Sequence, residues 1–210
     1  MGVGRQSHPG LYDRSPRAGR TRVLYAGLSR LGATAVWAGI QDDRFFAIAN
    51  TSASGLAHRD GLVSYCNDSN LMWEKYEYWY EKDFRRGLKR AENTHLLRFD
   101  SHASIALQAP RPVMWMVGSR DCTGVTSGSI NVDPEGSWDA VRYASDIYKH
   151  YNPDWAAKYD HMSEFSTQLP EQRVVVDNQV GFSIDPEGHN FDGADIETIV
   201  IWAAGRGWLD

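Results

Sequence analysis

The chain has 210 residues, of which 42% are hydrophobic and 23% charged, a length that suits one domain with a single sizeable core. Its formal net charge is −5 and no helix-length stretch clusters Lys and Arg, which argues against a nucleic-acid partner. No run approaches the roughly 18 apolar residues that cross a bilayer, and Cys66 and Cys122 fit neither a Cys-x-x-Cys pair nor a zinc-finger spacing, so no membrane, metal or other cofactor is expected.

Residues 1–20 (MGVGRQSHPGLYDRSPRAGR) are rich in Gly, Arg, Pro and Ser with no hydrophobic period, and read as an irregular or disordered segment. They lack the apolar core of a secretory signal. From residue 21 to residue 210 short apolar runs alternate with longer helical patterns, without internal repeat or dividing linker. That alternation predicts one α/β region, a mostly parallel sheet covered by helices.

The first strand is expected at Arg22 to Ala26 and a small-residue helix at Leu31 to Ile40, with Gly27-Leu28-Ser29-Arg30-Leu31-Gly32 between them. A second strand is expected over Arg44 to Asn50. Ser69 to Arg90 mixes aromatic and charged residues, consistent with a helix at one side of a cleft or with a plain amphipathic surface helix. Trp79 within it is the candidate for a substrate contact. A short helix over Ser101 to Gln108 stops before Pro110, because the residue preceding a proline avoids the α region. Pro112 to Gly118 (PVMWMVG) is the clearest strand, Gly124 to Ile130 a loop, and Pro134 to Tyr151 an amphipathic helix with Pro in its first turn. Gln172 to Ile184 holds the last strand, interrupted at Asp177-Asn178, and Ala194 to Gly205 a closing helix.

Three residues carry the chemistry. A serine between close glycines, after a strand and opening a helix, has the context of a nucleophile elbow, where the serine backbone is strained and strand and helix nearly touch. The helix N-terminus adds a positive dipole and free N–H groups for an oxyanion. The motif alone also suits an ordinary strand-to-helix turn. Chain order adds weight: in such folds the acid follows a later strand and the histidine the last one. Asp121 directly follows the Pro112 to Gly118 strand, and His189 lies in Asp185-Pro186-Glu187-Gly188-His189 before the final helix. Ser29 is thus the candidate nucleophile, His189 the general base and Asp121 its orienting acid. Arg30, beside the nucleophile, is a candidate oxyanion donor, its other role being a surface salt bridge.

The run Gly27-Leu28-Ser29-Arg30-Leu31-Gly32-Ala33-Thr34-Ala35-Val36-Trp37-Ala38-Gly39 with Gln41-Asp42-Asp43-Arg44-Phe45 resembles the nucleophile region of bacterial glucuronoyl esterases, carbohydrate esterase family 15. Ala109-Pro110-Arg111-Pro112 leading into a strand, with Asp100 and His102 upstream and Asp133-Pro134 downstream, is similar to the same family. The resemblance runs from about Arg22 to the C-terminus. It implies an α/β-hydrolase three-layer sandwich acting on a polysaccharide or small-molecule ester, by cleaving esters of 4-O-methyl-glucuronic acid between xylan and lignin.

The resemblance also implies the roles already given to Ser29, Arg30, His189 and Asp121, and export from the cell. It places a glutamate acid of many members at Ser52, a sugar-binding lysine at Ala33 and a uronate-packing tryptophan at Thr123. Losing such a donor and such a wall would weaken binding by about 1 to 3 kcal/mol each, which favours a different polysaccharide ester, such as an acetyl ester, as the second reading. Family members carry a long portion before the nucleophile, so the first strands of the sheet are expected to be missing and Arg22 to Ala26 to form an apolar edge. A non-catalytic carbohydrate-binding remnant is the reading from another class. A metal hydrolase is disfavoured, because no His-Glu-x-x-His or comparable spacing occurs. Oligomeric state and cysteine pairing stay open.

Overall fold

A computed structural model describes residues 22–52, 78, 82, 101–121, 134–151 and 179–205. The segment 1–20, the expected helix from Ser69 to Arg90 with Trp79 (residues 78 and 82 aside), the loop from Gly124 to Ile130, the first half of the Gln172 to Ile184 strand, and Cys66, Cys122 and Thr123 lie outside the described residues.

Four strands and four helices alternate along the described chain: β1 (Val23–Leu28), α1 (Arg30–Gln41), β2 (Phe45–Thr51), α2 (Ser101–Ala106), β3 (Val113–Gly118), α3 (Pro134–Tyr151), β4 (Val180–Asp185) and α4 (Gly193–Ala204). The strands form one parallel sheet in the order β1-β2-β3-β4. Every residue of β3 is buried, as expected for a central parallel strand covered on both faces.

The two faces carry separate cores. On one, Ile48, Val113, Trp115, Val117, Val180, Phe182 and Ile184 pack against Ala35 and Val36 of α1, Ile105 of α2, and Trp138, Val141, Ala144 and Tyr148 of α3. Trp138 meets Phe182 with ring centroids 4.8 Å apart, and this aromatic pair ties α3 to β4. On the other face, Ala47, Ala49, Met114 and Met116 pack with Trp202 of α4. The result is the expected three-layer α/β sandwich.

Local rules explain where the elements stop. Asp192 caps α4: its carboxylate accepts from the N–H groups of Ala194 and Asp195, and the Asp195 carboxylate accepts in return from the Asp192 N–H. The turn after α1 is held from a distance by Arg111, whose guanidinium donates to the carbonyls of Gly39, Asp42 and Phe45 at 2.5, 3.1 and 3.1 Å. Tyr148 on α3 in turn donates its hydroxyl to the Arg111 carbonyl at 2.7 Å. β1 runs two residues beyond its expected end, because Gly27 and Leu28 find register partners in Asn50 and Thr51. The last strand begins at Val180, paired with Val113.

Candidate active site

All four strands point the same way, so the residues that follow them gather at one edge of the sheet, where parallel α/β folds place their ligands. Ser29 follows β1, Ser52 follows β2, Asp121 follows β3 by a short turn, and His189 lies in the loop after β4.

Ser29 sits at φ 59 and ψ −128, with α1 starting at the next residue. A non-glycine residue in that region costs about 1 to 3 kcal/mol and persists only where its surroundings enforce it. They do so here. The Ser29 N–H donates to the Thr51 carbonyl of the neighbouring strand at 2.8 Å, and its carbonyl accepts from the Ala33 N–H at 2.9 Å as the first turn of α1 closes. Gly27 is buried against that turn. The first N–H groups of α1 have no intrahelical acceptor, so they and the helix dipole favour negative charge beside Ser29.

Asp121 is held by a turn in which its N–H donates to the Gly118 carbonyl at 3.1 Å. Its side chain is 0% exposed, while that of His189 retains 20%. Both carboxylate oxygens stand 3.1 Å from His189 Nδ1. A carboxylate accepts and does not donate, so Nδ1 carries the proton and Nε2 is left as the acceptor nitrogen of the ring. That tautomer suits a general base.

The structure therefore brings Asp121 and His189 into contact and sets Ser29 at the same edge, one strand removed from β3. With neighbouring strands about 4.8 Å apart, β1 and β3 are about 10 Å apart. Among the described residues the Ser29 hydroxyl makes no hydrogen bond to the imidazole. Arg30 is exposed on the first turn of α1. Trp79 lies outside the described residues.

Two features escaped the sequence. Ser52 also has positive φ, 46, and is 0% exposed; its N–H donates to the Met116 carbonyl at 2.8 Å, while its buried hydroxyl has no hydrogen-bond partner among the described residues. The Asp121 turn and the His189 loop are also joined backbone to backbone, Ser119 N–H to Asp185 carbonyl at 2.7 Å and Arg120 N–H to Glu187 carbonyl at 2.8 Å. Only the turn-forming composition of residues 185–188 hints at that contact. Among the described residues no group of three or more His, Cys, Asp or Glu is placed to hold a metal ion, and no helix is long and apolar enough to cross a membrane.

No family model matches the chain. A curated relative, "Carbohydrate esterase MZ0003" from an unknown prokaryotic organism, is 27% identical over 188 residues, covering 87% of this chain and 38% of the relative. Among solved structures the chain is similar to a promiscuous CE15 esterase from the marine bacterial metagenome, with TM-score 0.69, 23% identity and coverage of 92% of this chain and 44% of that one. It is also similar to a glucuronoyl esterase from Solibacter usitatus, with TM-score 0.62, 22% identity and coverage of 86% and 41%. A CE15 glucuronoyl esterase from Teredinibacter turnerae follows with TM-score 0.59, 21% identity and coverage of 87% and 40%. The fold is that of these α/β-hydrolases, and the chain spans 38% to 44% of the length of these proteins.

Proposed function

We propose that the chain carries the catalytic part of a serine carboxylic-ester hydrolase of the glucuronoyl esterase type, acting on methyl or aryl-alkyl esters of 4-O-methyl-glucuronic acid. The observation that carries this reading is the His189–Asp121 pair, an imidazole whose Nδ1 stands 3.1 Å from both oxygens of a wholly buried carboxylate, at the sheet edge where a strained serine opens a helix. The likeness to CE15 esterases supports it.

The steps can be written with the chain's own side chains, its backbone N–H groups and water. Ser29 Oγ attacks the ester carbonyl while His189 Nε2 takes its proton. The imidazolium so formed is stabilised by the Asp121 carboxylate, which also fixes the tautomer. Negative charge on the carbonyl oxygen is met by the N–H groups at the start of α1, with the Arg30 guanidinium as a side-chain donor. His189 returns the proton to the departing alcohol, leaving an acyl-enzyme on Ser29, and the same base then activates the water that releases the acid.

A second reading, an esterase for another polysaccharide ester such as acetyl, is favoured by Ala33. It is exposed on the first turn of α1 and offers only a methyl group beside the nucleophile. Hydrolysis of benzyl glucuronate beside p-nitrophenyl acetate, with Ser29→Ala as control, separates the readings. Turnover of the uronate ester that vanishes in the variant supports the first, turnover of the acetate alone supports the second, and a folded but inert chain contradicts both.

A further inference from the structure

The turn that carries Asp121 and the loop that carries His189 are joined by more than the carboxylate and the imidazole. Besides the two backbone bonds from Ser119 and Arg120, the Arg120 side chain donates through Nε to the carbonyl of Pro186, the residue between the two backbone acceptors. The loop is folded back on itself: Asp185 Oδ1 accepts from the Glu187 N–H at 2.8 Å, and Asn190 Nδ2 donates to Glu187 Oε2 at 2.7 Å. At the base of this contact stands Gly118. A β-carbon there would lie 2.4 Å from the Gly188 carbonyl oxygen and 2.5 Å from that of Glu187, distances that no side chain tolerates, so only glycine lets the loop settle.

We propose that Gly118 and Arg120 are positioning residues, which seat the Asp185 to His189 loop on the Asp121 turn and thereby hold the imidazole against the buried carboxylate. The inference rests on the reading of His189 as general base. Gly118 removes the obstacle to close approach, and Arg120 fastens the loop from its exposed side. Neither touches the reacting atoms; both act through the placement of the ring. Arg120 is exposed and lies outside both cores, so its truncation leaves the packing of the sheet intact.

The test uses the full chain with 15N-labelled histidine and the variants Arg120→Ala, Arg120→Lys and Gly118→Ala, with Arg44→Ala as a surface-arginine control. The Nδ1–H proton of His189 is observed by NMR, and kcat and KM are measured on benzyl glucuronate and p-nitrophenyl acetate. In Arg120→Ala that proton exchanges with solvent at least about ten times faster, and kcat falls by about 10- to 100-fold with KM nearly unchanged, as expected when a catalytic group is misplaced and binding is not. Arg120→Lys, which restores a donor, recovers part of both losses. Gly118→Ala shows the same signature more strongly where thermal melting confirms that it folds. Unchanged exchange in Arg120→Ala, or a loss carried by KM alone, overturns the proposal. If the wild type hydrolyses neither ester, the exchange rates alone decide: faster exchange in Arg120→Ala upholds the positioning role while the esterase reading fails, and unchanged exchange ends both.

Discussion

Gly27 and Leu31 meet across the turn that bears Ser29: a β-carbon on Gly27 would stand 2.4 Å from the Leu31 carbonyl oxygen and 2.8 Å from the Gly32 amide nitrogen. Both obstacles are backbone, which cannot swing aside as a side-chain tip can. Gly27→Ala is therefore expected to force β1 and α1 apart, at a cost of about 1 to 3 kcal/mol for an overpacked contact. A melting temperature lower by about 2 to 10 °C is expected for a chain of this size, together with slower reaction at Ser29. An unchanged melting temperature would show that the elbow has slack.

Ser29 supplies a second test, because its φ of 59 is strained for serine and free for glycine. Ser29→Ala and Ser29→Gly should both be inactive, but their stabilities should differ. Strain relief of about 1 to 3 kcal/mol, less about 0.5 to 1 kcal/mol for the extra chain entropy of glycine, leaves Ser29→Gly the more stable. Denaturant unfolding compares the two. Equal midpoints would mean that the elbow stores no strain.

Asp121 and Ser52 follow neighbouring strands at the same end of the sheet, and their side chains differ in what they touch. Asp121 faces His189, whereas the buried Ser52 hydroxyl has no hydrogen-bond partner among the described residues. Asp121→Asn should lower kcat by about a thousandfold or more, since an amide that can donate no longer fixes the tautomer. Ser52→Ala should leave kcat within about twofold and, by removing an unsatisfied hydroxyl, raise stability by about 1 kcal/mol. Steady-state kinetics and denaturant unfolding of the two variants check both statements.

Tyr148 gives the fold a pH dependence of its own. Burial pushes its phenol well above the ordinary 10.0, and its hydroxyl donates to the Arg111 carbonyl at 2.7 Å, a bond that holds only while the proton is present. The folded value lies above the unfolded one, so this stability is complete below about pH 10 and is lost as pH rises from there towards the folded value, by up to about 1.4 kcal/mol per pH unit. Tyr148→Phe should remove that part of the alkaline slope while costing about 1 kcal/mol at neutral pH. Unfolding curves from pH 7 to pH 11 compare the two, and identical slopes would show that Tyr148 ionises freely.

What could be read in advance followed from patterns that burial imposes on sequence. The continuous apolar run Val113 to Gly118 marks a strand covered on both faces, and Pro134 to Tyr151 is helical throughout its expected span because proline suits the first turn and helical period carries the rest. Asp121 and His189 were legible because each follows a strand in the order that places them at one edge. The meeting of their loops was not. A bond from the Arg120 N–H to the Glu187 carbonyl is made by backbone, which every residue carries, between positions far apart in sequence. Ser29 and Ser52 share positive φ, yet only Ser29 stands between glycines, and Ser52 takes its geometry from tertiary pairing with β3. Likewise β1 outruns its apolar pattern because Gly27 and Leu28 pair with β2, a contact no local signal announces.

Whether Ser29 is a nucleophile activated by His189 on Asp121 is read out by covalent labelling of the folded chain with a fluorophosphonate probe, mapped by mass spectrometry. One label per chain is expected, on Ser29, formed quickly in the wild type, more slowly in Asp121→Asn and not at all in Ser29→Ala or His189→Ala. A folded chain that takes no label at Ser29, or one labelled equally fast without His189, would contradict that role.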